Sequence, residues 1–379
     1  MIADQAPATT PGGSPAARPL TIDVHCHVLP RGLPDMAAIT GTSGWVTLHH
    51  GGADNPEIPF GCAHMRRDGR LFRVVGSNLF DDDVRLAEMD AAGVDAQVLS
   101  TVPVLFAYGA AADHALELAR VLNDDIAARC RRHPRRLIGL GTVPLQDPAL
   151  AVEELRRCRD LGLRGVEIGS HVGARELDDP SFEPFWRAAV ELDLAVFVHP
   201  WDMMGVSEGR LSRHWLPWLV AMPAETTTAI CSILMGGVLE RHPSLRLLFA
   251  HGGGAFLATL GRIDHGFAVR PDLCQTLTQT PPSAFLGRFW LDSLVHDPAA
   301  LRHLIAAVGA ARVCLGSDYP FPLGEQPAGA VLHHAGLDAE SERQVRSGAA
   351  CACFGLDPSA LGDPARGARV ADAVAGGRR

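Results

Sequence analysis

Lysine is absent from all 379 residues, so each of the 34 basic side chains is an arginine. That absence excludes three kinds of chemistry. A Schiff base to a carbonyl substrate, the phosphate grip of a P-loop and a carbamylated bridge between two metal ions all need a lysine amine. No CxxC pair occurs among the nine cysteines, an odd number at irregular spacings. They read as reduced thiols of a cytoplasmic protein. No apolar run reaches the ~18 residues that mark a membrane span. Residues 1–20 lack the apolar stretch of a signal peptide. The formal net charge is −9, which leaves no basic surface for nucleic acid. The expected partner is a small molecule, with no nucleic acid and no membrane.

What is present is a globular balance, 47% hydrophobic and 20% charged. Residues 1–19 and 363–379 are rich in Ala, Gly, Pro and Arg and read as disordered tails. Between them, over 20–362, short β-branched runs alternate with amphipathic stretches. The runs are 20–28, 96–103, 137–145, 165–171, 195–200, 246–254, 289–294 and 313–320. Helical stretches separate them, among them 111–132, 147–161, 181–192, 224–241 and 298–308. Eight such units predict an α/β fold, a distorted (β/α)8 TIM barrel. A doubly wound sheet is the alternative, but it has no need of eight strands. Residues 29–82 form an insertion after the first strand, far longer than an ordinary βα loop and rich in arginine at 66–73.

Reactive side chains gather at the C-terminal ends of the runs, the active-site face of such a barrel. His25 and His27 are two apart on one strand, so both imidazoles face the same way and can share one ion. An HxH pair alone is weak, since strand-end histidines are as readily core residues. His199, His251 and Asp318 each end a later strand. Each is ambiguous singly; together they place four imidazoles and a carboxylate around one rim. Mixed nitrogen and oxygen ligation suits one catalytic Zn2+ per subunit. His25, His27, His199 and Asp318 are the expected metal ligands. His251 is kept as the acid–base group, because an unligated histidine beside the ion can carry a proton. Cys26, between the two histidines, should face away and pack on a helix. Asp292 ends the seventh run, as a partner of a ligand histidine or as a packing residue. Glu167 is a weaker candidate of the same kind, and His171 is expected to orient a loop.

The chain resembles the amidohydrolase-related decarboxylases. The strings that carry the resemblance are IDVHCH (22–27), EMDAAGVDAQVLST (88–101), VPLQDPALA (143–151), HPWDMMG (199–205), LPWLVAMPAETT (216–227), HGGGAFLATLGRIDHGF (251–267) and LGSDYPFPLGEQ (315–326). They run from about residue 20 to about 356. The resemblance implies a distorted barrel, one zinc on the four ligands named above, and His251 as catalytic acid–base. It implies oxygen-independent loss of CO2 from 2-amino-3-carboxymuconate 6-semialdehyde. It further implies that Arg73 and Arg262 grip the substrate carboxylates, Arg262 from the neighbouring subunit of a homodimer. Trp215, Trp218 and Phe321 match aromatic positions near the pocket. The insertion matches poorly before Arg73, so Arg66, Arg67 or Arg70 can share or replace its role. His296 stands where the family is apolar. Two alternatives share this metal site: a zinc hydrolase or hydratase, and an aromatic acid decarboxylase.

Overall fold

The computed structural model describes residues 19–206 and 209–362. The two expected tails therefore lie outside the described residues, apart from Pro19.

The first strand, β1 (Ile22–Val28), is buried along its whole length. Such a run forms where both faces of a parallel sheet are covered. The insertion follows: helix α1 (Met36–Thr40) and strands β2 (Val46–His50), β3 (Cys62–Arg67) and β4 (Arg70–Gly76), paired antiparallel in the order β2-β3-β4. The expected long loop is thus a small folded sheet. Trp45, Met65, Val75 and Phe80 are buried beneath it in a cluster shared with Leu29 and Phe321.

The barrel resumes with α2 (Asp82–Ala92), β5 (Ala96–Thr101), α3 (Ala112–Arg132), β6 (Leu137–Gly141), α4 (Pro148–Asp160) and β7 (Gly165–Gly169). A hairpin of β8 (His171–Val172) and β9 (Arg175–Glu176) precedes α5 (Glu183–Glu191) and β10 (Ala195–His199). Helices α6 (Met222–Met235) and α7 (Val238–Arg241), strand β11 (Leu247–Phe249), helices α8 (Phe256–Val269) and α9 (Pro271–Cys274), and strand β12 (Trp290–Asp292) come next. The chain ends with α10 (Pro298–Val308), β13 (Val313–Cys314), α11 (Ala330–Ala335), α12 (Ala339–Arg343) and α13 (Ala349–Phe354). Helix starts follow local chemistry. Asp81, Asp147 and Asp297 cap α2, α4 and α10 by accepting backbone N–H bonds, and proline follows the cap in the last two.

Eight parallel strands run in the order β1-β5-β6-β7-β10-β11-β12-β13. The ends of the sheet meet: Val24 N donates to Leu315 O at 2.9 Å and His27 N to Tyr319 O at 2.8 Å. The fold is the expected (β/α)8 barrel. Val24, Val98, Leu140, Phe197 and Leu248 fill its interior, and Phe354 joins the same cluster from α13. A second, outer layer seats the helices, with Val166, Ile168, Val196 and Val198 among its members.

Several strands are shorter than their apolar runs, because the chain leaves the ladder while still buried. The expected helix over 224–241 breaks at Gly236 and Gly237, the latter in the left-handed region at φ 70°. The helical stretch Pro217–Met235 is long and apolar enough, by length and composition, to cross a membrane. Sequence reading passed over it because Glu225 and three threonines interrupt it. In the fold its Ala229, Ile230, Ile233 and Leu234 are buried in the outer core.

Candidate metal centre

The inward face of each strand supplies the rim. On β10, Ala195 and Phe197 point inward beneath His199; on β12, Trp290 lies beneath Asp292. On β1 the register shifts between Asp23 and Cys26. Val24 faces the interior, and this bulge turns His25 and His27 to the same side. Cys26 then belongs to the outer core with Met89 of α2, as expected, and burial pushes its thiol far up.

One ring nitrogen from each of His25, His27 and His199 and one carboxylate oxygen of Asp318 lie within 4.8 Å of one another, all four residues buried. Each histidine is braced through its other nitrogen. His25 Nδ1 meets Asp292 Oδ2 at 2.7 Å, His27 Nδ1 meets Thr101 O at 2.8 Å and His199 Nδ1 meets Pro200 O at 2.9 Å. An acceptor at Nδ1 requires a proton there, so Nε2 is the nitrogen that can offer a lone pair to an ion. All three Nε2 atoms are buried without a hydrogen-bond partner. Asp318 Oδ1 lies 3.1 Å from His27 Nε2 and 3.6 Å from His25 Nε2. Buried lone pairs converging on a carboxylate, each ring held by an outer acceptor, fit a divalent cation.

Asp292 does more than brace His25. It also accepts backbone N–H bonds from His251, Gly252 and Leu294 at 2.9, 2.7 and 3.1 Å. Burial pushes its carboxyl up, but the His25 bond, the charges of His25 and His251 and the Gly252 N–H together hold it below the usual range. In turn, burial works against a charge on His25. Its bond to Asp292 and the charge of Asp318 prevail, and the group is held up at about 9. His251 is pushed down to about 4, first by burial and then by the charge of His25. Its ring stands 5.1 Å from that of His25 and 5.2 Å from that of His199, and its Nδ1 is buried without a partner. His251 and Asp318 both hold left-handed backbone, at φ 55° and 58°, the kind of strain that collects at functional sites. Glycines make room for it. A Cβ on Gly316 would come 2.8 Å from Asp292 Cβ, and one on Gly254 would come 2.2 Å from Pro223 O.

Glu167 is buried behind His27, its Oε1 3.9 Å from Nδ1. Burial raises it well above the carboxylate range. His171 bonds the carbonyls of Gly173 and Trp201, which is the loop-orienting place expected of it. Sequence reading missed three braces. The Thr101 and Pro200 carbonyls carry no side-chain signal. Buried Asp23 ties Ser317 of the β13 loop to β1 but lies outside any strand-end pattern.

Above the cluster lies a cavity of about 400 Å³. His27, His199 and Asp318 form part of its wall, with Arg73, Trp218 and Phe321. Arg73 sits 4.6 Å from the Phe321 ring centroid, and that ring is 5.4 Å from His27. Arg262 is exposed on α8 and is absent from this wall. His296 is exposed as well.

Residues 22–356 match the family model described as Amidohydrolase. A 2-amino-3-carboxymuconate-6-semialdehyde decarboxylase of Dictyostelium discoideum is 46% identical, over 90% of this chain and 93% of that one. The enzyme of the same name from Caenorhabditis elegans is 42% identical, over 82% and 88%. Among solved structures, 5-carboxyvanillate decarboxylase LigW from Sphingomonas paucimobilis is 27% identical with a TM-score of 0.72, covering 90% of this chain and all of that one. A 5-carboxyvanillate decarboxylase of Novosphingobium aromaticivorans, solved with manganese and a nitrobenzoic acid, is 27% identical with a TM-score of 0.66, over 74% and 82%. The chain belongs to the amidohydrolase family and is a carboxy-lyase of its decarboxylase branch.

Proposed function

We propose that the chain catalyses the oxygen-independent conversion of 2-amino-3-carboxymuconate 6-semialdehyde to 2-aminomuconate 6-semialdehyde, with one zinc ion held by His25, His27, His199 and Asp318. The observation that carries this reading is the set of three buried, partnerless Nε2 atoms facing Asp318 beneath a cavity with an arginine in its wall. Likeness of 46% and 42% to enzymes of that name supports the choice of substrate. The pathway is then tryptophan catabolism through kynurenine.

A divalent ion in this cluster supplies Lewis acidity that stabilises developing negative charge. The rest belongs to the chain. Losing CO2 directly from an sp2 carbon leaves an unstabilised vinyl carbanion, so that carbon must first become tetrahedral. Water adds across the conjugated double bond, its oxygen to one carbon and a proton to the carboxylated carbon. His251, neutral because burial holds it down to about 4, accepts the proton from water and relays it. The C–C bond to the carboxylate then breaks. Its electron pair re-forms the double bond as hydroxide leaves, and CO2 departs. Arg73 holds a carboxylate in its planar fork. Trp218 and Phe321 cover the conjugated chain. Arg262 reaches such a site only from a neighbouring copy, so the same reading makes the enzyme a homodimer, placed in the cytoplasm.

The test offers purified protein the semialdehyde, generated in place from 3-hydroxyanthranilate by its dioxygenase, and separately γ-resorcylate. Faster decay of the semialdehyde with equimolar CO2, and no turnover of γ-resorcylate, is expected. The reverse preference makes the enzyme an aromatic acid decarboxylase. Decay without CO2 makes it a hydrolase or hydratase.

A further inference from the structure

The cavity wall holds a second guanidinium, that of Arg67 at the end of β3. Its Nε is buried without a hydrogen-bond partner. Among the described residues, neither Arg67 nor Arg73 lies within ion-pair distance of a carboxylate. The two share one aromatic neighbour: Arg67 Cζ is 5.9 Å and Arg73 Cζ 5.7 Å from the Phe72 ring centroid. Phe72 lines the cavity with them. The other charged groups on this wall are Asp318 in the metal cluster and exposed Asp202.

Partly buried cations without counter-ions are costly, and the cost is recovered when an anion enters. Several other buried or part-buried arginines of this chain are matched to carboxylates within the protein. Arg129 pairs with Asp82 and Asp125, Arg157 with Asp124 and Glu154, and Arg346 with Glu342. Unmatched guanidiniums facing one cavity therefore mark a place for a ligand with two negative groups.

We infer that Arg67 is a substrate-binding residue, meeting one carboxylate of a dicarboxylate while Arg73 meets the other. This deepens the proposed function and rests on it for the identity of the substrate. Each chain then carries two cations of its own for the ligand. In a dimer, Arg262 of a neighbour joins a site already able to select a dicarboxylate over a monocarboxylate. Sequence left Arg66, Arg67 and Arg70 as equal candidates to share the role of Arg73. Arg66, Arg67, Arg70 and Arg73 lie within one run, and only the turn between β3 and β4 decides which of them face the cavity.

The experiment measures binding of muconate, an unsaturated six-carbon dicarboxylate, to the metal-loaded protein through quenching of tryptophan fluorescence. Sorbate, its monocarboxylate counterpart, is the control. R67Q should weaken muconate about tenfold or more and sorbate by much less. R67K should recover part of the loss, because the charge returns without the fork. Metal content and circular dichroism should match the wild type. With the semialdehyde as substrate, R67Q should raise KM about tenfold with kcat within about twofold. Equal muconate binding by wild type and R67Q, or equal losses for muconate and sorbate, overturns the inference. Wild type that binds muconate through Arg67 but releases no CO2 from the semialdehyde overturns the substrate reading and leaves Arg67 in its place.

Discussion

The barrel rim and the insertion wall face the same cavity, and they are built in opposite ways. On the rim each of the three proposed ligand histidines is buried and braced: His25 by Asp292, His27 by the Thr101 carbonyl, His199 by that of Pro200. On the wall, Arg67 and Arg73 are half-buried, rest on an exposed phenylalanine and have no acidic ion-pair partner among the described residues. The rim is preorganised, as chemistry at an ion requires. The wall keeps its charges uncommitted, as recognition of an anion requires. The difference teaches where each kind of change should register. Damage to the rim should lower kcat or strip the metal; damage to the wall should raise KM.

The largest effect belongs to the ligands. His199→Ala removes one of the four proposed donors, so bound metal should fall below stoichiometry and CO2 release should drop about a thousandfold or more. Elemental analysis beside the rate checks it; a variant with full metal and full rate dissolves the contrast between rim and wall. His251→Ala comes next. Metal should stay bound while kcat falls about 10²–10⁴-fold. Loss of metal in that variant would move His251 into the ligand set. Asp292→Asn keeps its shape but loses the charge that holds the His25 proton at Nδ1. Zinc affinity should weaken about 10–100-fold, read by competition with a chromophoric chelator. An unchanged affinity would reduce Asp292 to a backbone anchor.

The smallest effect is on the stability of the metal-free protein. His25 is raised to about 9, above its ordinary value. Its contribution is therefore full below about pH 6.5 and is lost as pH rises through 9, with a ceiling near 3 kcal/mol. His27, His199 and His251 are lowered, so their contributions are lost as pH falls below about 6.5. Melting of the apoprotein across pH 5–10 should peak near 6.5, and Asp292→Asn should flatten the alkaline limb. An alkaline limb that persists in Asp292→Asn separates His25 from the effect.

The same contrast explains what was legible in the sequence. The rim was readable because strand ends in a closed barrel converge by geometry alone. Eight apolar runs and the residues closing them fix His25, His27, His199 and Asp318 near one point. Details set by tertiary contact were not readable. The register shift on β1 keeps both histidines inward although Val24 also faces in, and no spacing rule announces it. The break at Gly236 and Gly237 splits one apolar helix into two, because Gly237 takes left-handed backbone. The insertion has short strands, four arginines close together and a core shared with distant Phe321. The pairing of β3 with β4 sets which of those arginines reach the cavity, so the fold singles out Arg67 from the candidates Arg66, Arg67 and Arg70.

The central claim is that the four rim residues hold an ion on which CO2 release depends. The direct measurement follows CO2 from the semialdehyde with the protein as purified, after chelation, and after titration with zinc. The account predicts loss of activity on chelation and recovery that saturates at one zinc per chain. Undiminished CO2 release by protein shown to be metal-free would contradict it.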